Sequence, residues 1–222
     1  MSDKLARFSI LLRDKKVLMF CIFMTLLFQI ISTALTVKLD QKHQIIDKQP
    51  WYVMLLLFLL SLGLIFIMIA APFPFYVKQI LFILFSIIQG LFLSQVVHAI
   101  NDPHIINAAV LATIANFVVM LILGFIIVFM GVDLGWMGIY LLIALMVLLT
   151  ISIITMFSKP SKKMNKAISV IIVLVFSLYI LYDTNKILFK YDKSSTSCIR
   201  GALNYYLDIL NLFTAYLSLE SN

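Results

Sequence analysis

The sequence predicts an all-α integral membrane protein, a seven-transmembrane-helix bundle, and three observations carry that prediction. Of the 222 residues, 63% are hydrophobic and 12% are charged, with a mean hydropathy of +1.09; a soluble domain averages about 45–50% apolar and roughly 25% charged. The apolar residues gather into seven runs, 17–37, 51–71, 80–100, 105–130, 137–157, 167–189 and 201–219, each near the ~20 residues a helix needs to cross a bilayer. The breaks between runs are helix terminators: Pro50, Pro72 and Pro74, Asn101-Asp102-Pro103, Gly131 with Gly135, and Pro160. The runs hold 152 of the 222 residues, which leaves connectors too short for a separate catalytic domain.

Each run must be helical, because an unpaired backbone group in hydrocarbon costs several kcal/mol and an open strand cannot satisfy its own. Residues 1–16 form a basic N-terminal segment with Arg7, Arg13, Lys15 and Lys16. The first run has 21 residues and is followed by Lys38-Leu39-Asp40; a secretory signal has an apolar stretch of only about 7–15, so this run reads as a retained anchor. The second begins at Trp51 and the fifth follows Trp136, both placed as interfacial anchors. The third carries Ser86, Gly90, Ser94 and His98 at helical spacing, and the fourth Ala109, Ala112, Thr113 and Asn116. His98 and His104 flank a turn and read as solvated. Methionines such as Met19, Met24, Met54, Met68 and Met120 read as packing. Lys159, Lys162, Lys163 and Lys166 fill the connector before the sixth run. Cys21 lies in the first run and Cys198 in the last connector, without metal-type spacing, and both read as free thiols. Residues 17–219 thus make a single membrane domain.

The net charge of +7 could suit nucleic acid, but the basic residues sit where lipid headgroups would be, and nucleic-acid binding is set aside. With the N-terminus inside, the inner loops hold nine Lys/Arg and the outer loops seven. The dense N-terminal cluster favours a cytoplasmic N-terminus and a C-terminus on the opposite side.

Charges inside a membrane are costly and are rarely present without a partner or a role. Of the 27 charged residues, only Asp183, Lys186 and Asp208 fall within the runs. If the last two helices form a hairpin closed by residues 190–200, both aspartates sit roughly 10–12 Å from that end and are level with one another. In the seventh run Asn204, Asp208, Asn211, Ala215 and Ser218 recur at steps of four and three, one polar stripe that belongs against protein or water. Two facing carboxylates in a low-dielectric interior would share a proton. Such a pair could sense pH, bind Ca²⁺ through oxygen ligands, or act as an acid/base pair. Plainer readings stand beside these: an intrahelical Asp183–Lys186 ion pair, Asp208 fixing helix packing with Asn204 or Asn211, and Tyr179 as a core residue whose hydroxyl reaches Asp183.

The stretch Ser177-Leu-Tyr-Ile-Leu-Tyr-Asp183-Thr-Asn, followed by Leu203-Asn-Tyr-Tyr-Leu-Asp208-Ile-Leu-Asn-Leu-Phe, resembles the Bax inhibitor-1 family, also called the transmembrane Bax inhibitor motif family. The resemblance covers roughly a quarter of the chain. It implies a bundle whose C-terminal helix is central, wrapped by the other six, and a pH-sensitive Ca²⁺ leak governed by two aspartates, which fall on Asp183 and Asp208. Some members latch one aspartate with a basic residue near the end of the second helix and carry an acid in the fourth. This sequence has Ala70-Ala71-Pro72-Phe73-Pro74 at the first place and no acid within 105–130, leaving Lys78 or Lys186 as substitutes.

The leading expectation is therefore a non-enzymatic Ca²⁺ leak channel gated by the proton-sharing pair, with Ca²⁺ and H⁺ as its ions, the lipid bilayer as its partner and no tightly bound cofactor. A bacterial inner membrane is favoured over endoplasmic reticulum or Golgi. One alternative is a non-conducting regulator that binds a membrane protease or a cell-death protein. Another is an intramembrane aspartyl protease, for which Tyr182-Asp183 fits but Tyr205-Tyr206-Leu207 stands where glycines are needed.

Overall fold

A computed structural model describes residues 2–44, 50–158 and 161–221, and among them the chain forms seven helices and no strand. These are α1 (Ser2–His43), α2 (Trp51–Ala70), α3 (Phe75–Ile100), α4 (Pro103–Met130), α5 (Met137–Phe157), α6 (Lys162–Lys190) and α7 (Ser195–Ser221). Six of them, α1 to α6, are long and apolar enough to cross a membrane, whereas α7 is equally long but more polar. Exposed Leu, Ile, Val and Phe dominate the outward surface of α2, α4 and α5, a surface that water would not tolerate and lipid does. The side chains of α7 are another matter: none is exposed from 196 to 219, so a more polar sequence there meets protein. Lys48, Lys159 and Pro160, used above for orientation and helix ends, and the side chain of Trp51 lie outside the described residues. Trp136 is exposed beside α5, as an interfacial anchor should be.

The helix ends follow local chemistry. Asp102 caps α4 by accepting from the His104 amide at 2.8 Å, with Pro103 in the first turn. Asn101 and Gly131 close α3 and α4 in left-handed conformations, φ 46° and 80°, which asparagine and glycine tolerate. Ser194 caps α7, its hydroxyl accepting from the Ser197 amide at 3.1 Å. The Asp192 carboxylate accepts in turn from the hydroxyls of Ser194 and Ser197, and these hydrogen bonds hold it below the usual carboxylate range.

Four expectations need correction. The basic segment 1–16 is not separate from the first membrane helix: α1 begins at Ser2, because its residues are good helix formers with no Gly or Pro. The last connector is four residues, 191–194, rather than eleven, since the polar residues 195–200 lower hydropathy without stopping a helix. That shift places Cys198 inside α7, where it is bonded to Cys21 of α1 with Cα atoms 5.9 Å apart; the two cysteines are a disulfide, not free thiols. The charge placement also changes, for Lys15, Asp40 and Lys78 are buried within helices although the sequence put them outside the spans.

The chain divides into two compact units. Lys16–Asn101 with Asp192–Tyr206 make one, and Met1–Lys15, Asp102–Tyr191 and Leu207–Asn222 make the other. In the first, α1 and α3 meet along a polar seam. Gln79 donates to the Thr25 hydroxyl at 2.7 Å, Ser86 donates to Gln29 Oε1 at 2.5 Å, and Ser94 donates to Asp40 at 2.6 Å. Gly90 makes that approach possible. A Cβ on it would lie 2.7 Å from Thr36 Cβ and 3.0 Å from the Thr33 carbonyl oxygen, and the backbone atom cannot move aside. Gly90→Ala is therefore expected to lower stability by about 1–3 kcal/mol, the cost of overpacking. Reversible unfolding in detergent would measure it, and an unshifted midpoint would mean that the helices have room to spare.

The second unit packs α6 against α4 and α5. Gly124 of α4 faces Thr184, and Gly138 of α5 faces the Tyr182 hydroxyl, each so closely that a Cβ would fall within 2.8 Å. Asn185 braces the α4–α5 turn, accepting from the Leu134 amide at 2.9 Å and donating to the Val132 carbonyl at 2.8 Å. Lys15 donates to the Tyr191 carbonyl beyond the end of α6.

Candidate functional site

Asp183 on α6 and Asp208 on α7 belong to the same unit, and the two residues are 3% and 4% exposed. The charge of Asp183 acts on Asp208, and both act on the Tyr179 hydroxyl one turn before Asp183. Asp183 and Asp208 are buried, whereas Tyr179 is half-buried. The route by which they meet differs from the expected one. Asp183 lies seven residues before the end of α6, but Asp208 lies thirteen into α7, so equal depth from a tight turn does not hold. The connector leaves α6 extended, with Tyr191 at ψ 137°. It then bends at 193 and 194 into the cap of α7.

Asp208 Oδ2 is buried and has no hydrogen-bond partner among the described residues. Asn211, on the same stripe, spends its amide on the Leu207 carbonyl of its own helix at 2.7 Å. Asn204 lies one turn before Asp208 and is half-buried. An oxygen in this state is expensive and marks the place where a proton or a cation would lower the free energy. Among the described residues no group of three or more His, Cys, Asp or Glu gathers as a metal centre would require. Two carboxylates and a phenol are also short of the six to eight oxygens Ca²⁺ prefers.

The remaining polar candidates are placed as follows. Lys186 directs its ammonium over the Tyr182 ring at 5.2 Å and the Tyr191 ring at 5.9 Å, a cation–π arrangement. Lys78, 1% exposed, donates to the Thr196 hydroxyl at 3.0 Å in the other unit. His98 and His104 are exposed.

A family model described as inhibitor of apoptosis-promoting Bax1 matches residues 15–220. The chain belongs to the Bax inhibitor-1 family. No curated protein matches the sequence. The family match runs from the end of the basic segment to the last turn of α7, far beyond the two motifs from which the resemblance was read.

Within this family member, sequence reasoning missed two features near the pair. Asn116 of α4 donates at 2.9 Å to Ser177 of α6 and at 2.9 Å to the Tyr216 hydroxyl of α7, joining three helices through one amide. Asn116 stood in the polar stripe of its run and Ser177 in the family motif, but Tyr216 looked like part of an apolar face. Asn185, two residues after Asp183, belongs to the family motif but carries no charge or spacing that marks a role. Its two hydrogen bonds fix the α4–α5 turn to the end of α6 that carries the aspartate.

Proposed function

We propose that the chain is a pH-regulated Ca²⁺ leak, oriented with its N-terminus in the cytoplasm, in which Asp183 and Asp208 hold one proton between them in the closed state. The observation that carries the reading is that two aspartates of one compact unit are both buried, and that Asp208 Oδ2 has no hydrogen-bond partner among the described residues. A proton between two carboxyls satisfies such an oxygen and removes the repulsion. Losing it would set two like charges together in a low-dielectric interior. An arrangement of α7 that separates them, or admits a divalent cation between them, is then favoured. The residues around the pair modulate it: the Tyr179 hydroxyl feels both charges, and Lys186 lies one turn along α6 from Asp183. No bond-making chemistry is assigned to the pair, and Ca²⁺ is cargo, not a resident ion.

Proteoliposomes loaded with a Ca²⁺ dye test this directly across the range from pH 5 to 8. If Asp183→Asn and Asp208→Asn both follow the wild-type flux at every pH, the pair has no gating role. The family description, inhibition of an apoptosis-promoting protein, supports a second reading, a regulator that binds a membrane-associated protein without conducting. Flat Ca²⁺ flux together with a partner retained through mild-detergent purification would favour it.

A further inference from the structure

We propose that the Cys21–Cys198 disulfide is a redox clamp on α7, holding the first turns of that helix against α1 until a dithiol reductant releases it. The inference rests on the leak reading above, because it names a control on the helix that carries Asp208.

The bond joins residues 177 apart in sequence and lies within one compact unit. Cys198 stands in the first turns of α7, ten residues before Asp208 on the same continuous helix, which is roughly 15 Å along the axis. A helix that must shift to separate two carboxylates is therefore tethered covalently at one end.

Both redox states find partners. The Thr25 hydroxyl lies 3.9 Å from Cys198 Sγ and accepts from Gln79 at 2.7 Å. A reduced Cys198 thiol would be met by a hydroxyl already held in place, not left in an apolar gap. The two sulfurs also differ in access, since Cys21 is half-buried and Cys198 is 2% exposed.

The exchange follows from that difference. A dithiol's thiolate attacks Cys21 Sγ, the S–S bond breaks, and Cys198 leaves as a thiolate and takes up a proton. The second thiol of the reductant then displaces Cys21 from the mixed disulfide, giving two protein thiols and an oxidised reductant.

The test uses the full chain in proteoliposomes, oxidised or treated with dithiothreitol, beside a Cys21→Ser/Cys198→Ser double variant. At one fixed pH, Ca²⁺ flux of the reduced protein should exceed that of the oxidised protein by at least about fivefold, the low end of ordinary allosteric coupling. The double variant should match the reduced protein and ignore dithiothreitol. Equal flux in the oxidised and reduced wild type, while Asp208→Asn still alters the pH profile, would overturn the clamp and leave the leak reading standing. If no form conducts, the leak reading fails and the clamp is judged by hydrogen–deuterium exchange of residues 195–206. Faster exchange on reduction upholds it, and unchanged exchange overturns it.

Discussion

Asp208→Asn is expected to flatten the pH profile of Ca²⁺ flux, shrinking a roughly tenfold change between pH 5 and 8 to about twofold, the equivalent of removing ~1 kcal/mol of proton linkage. The substitution keeps shape and volume and removes only the ability to ionise. Asp208 should respond more than Asp183 because of their surroundings. It is the sole charged residue between 201 and 219, and its Oδ2 has no partner among the described residues. Asp183 has a lysine one turn away, although the ammonium of Lys186 is turned over two aromatic rings. Asp183→Asn should therefore weaken the pH response without removing it. A full pH response in Asp208→Asn would assign the sensing to other groups.

Tyr206→Ala is expected to be among the most destabilising single substitutions in the chain, by about 3 kcal/mol, the low end for truncating a buried aromatic side chain. Tyr206 is fully buried, packs edge-on against Phe82 at 5.6 Å and lies 6.0 Å from Phe85, and shares a 2.5 Å hydrogen bond with the Thr33 hydroxyl. The low end applies because lipid already solvates apolar groups of the unfolded chain. What is lost is dispersion contact and the filled volume, not transfer from water. Tyr206→Phe should cost only about 1 kcal/mol, the hydrogen bond alone. Unfolding of both variants in mixed micelles would separate the two contributions, and equal losses would mean that the hydroxyl, not the ring, carries the effect.

Much of the architecture was legible in the sequence because the signal is local. A run of about 20 apolar residues bounded by Pro, Gly or Asn has one stable form in lipid, and six helices cover the expected runs while α2 stops one residue short, at Ala70. The errors fall where helices outlast their apolar character. Residues 2–16 and 195–200 are polar yet helical, and hydropathy measures partition into lipid, not backbone conformation. Asp183 and Asp208 stood out from sequence because a charge inside an apolar run is rare. Tyr216, Asn185 and Thr184 did not, since a hydroxyl or amide among apolar neighbours carries no mark of what it will face.

By itself the sequence determined that this is a helical membrane protein with two acids inside its last two apolar runs, and its motif pointed to the family. Only the tertiary structure decided what the remaining polar residues do. Lys78 ends on a threonine hydroxyl, Asn116 joins three helices, Gly90 admits a neighbouring backbone, and two cysteines 177 residues apart become a covalent tie between α1 and α7. The physical reason is range. Solvation and helix formation act within a turn or a run and leave a periodic trace in the chain, whereas a hydrogen bond, a close approach or a disulfide depends on which helices become neighbours.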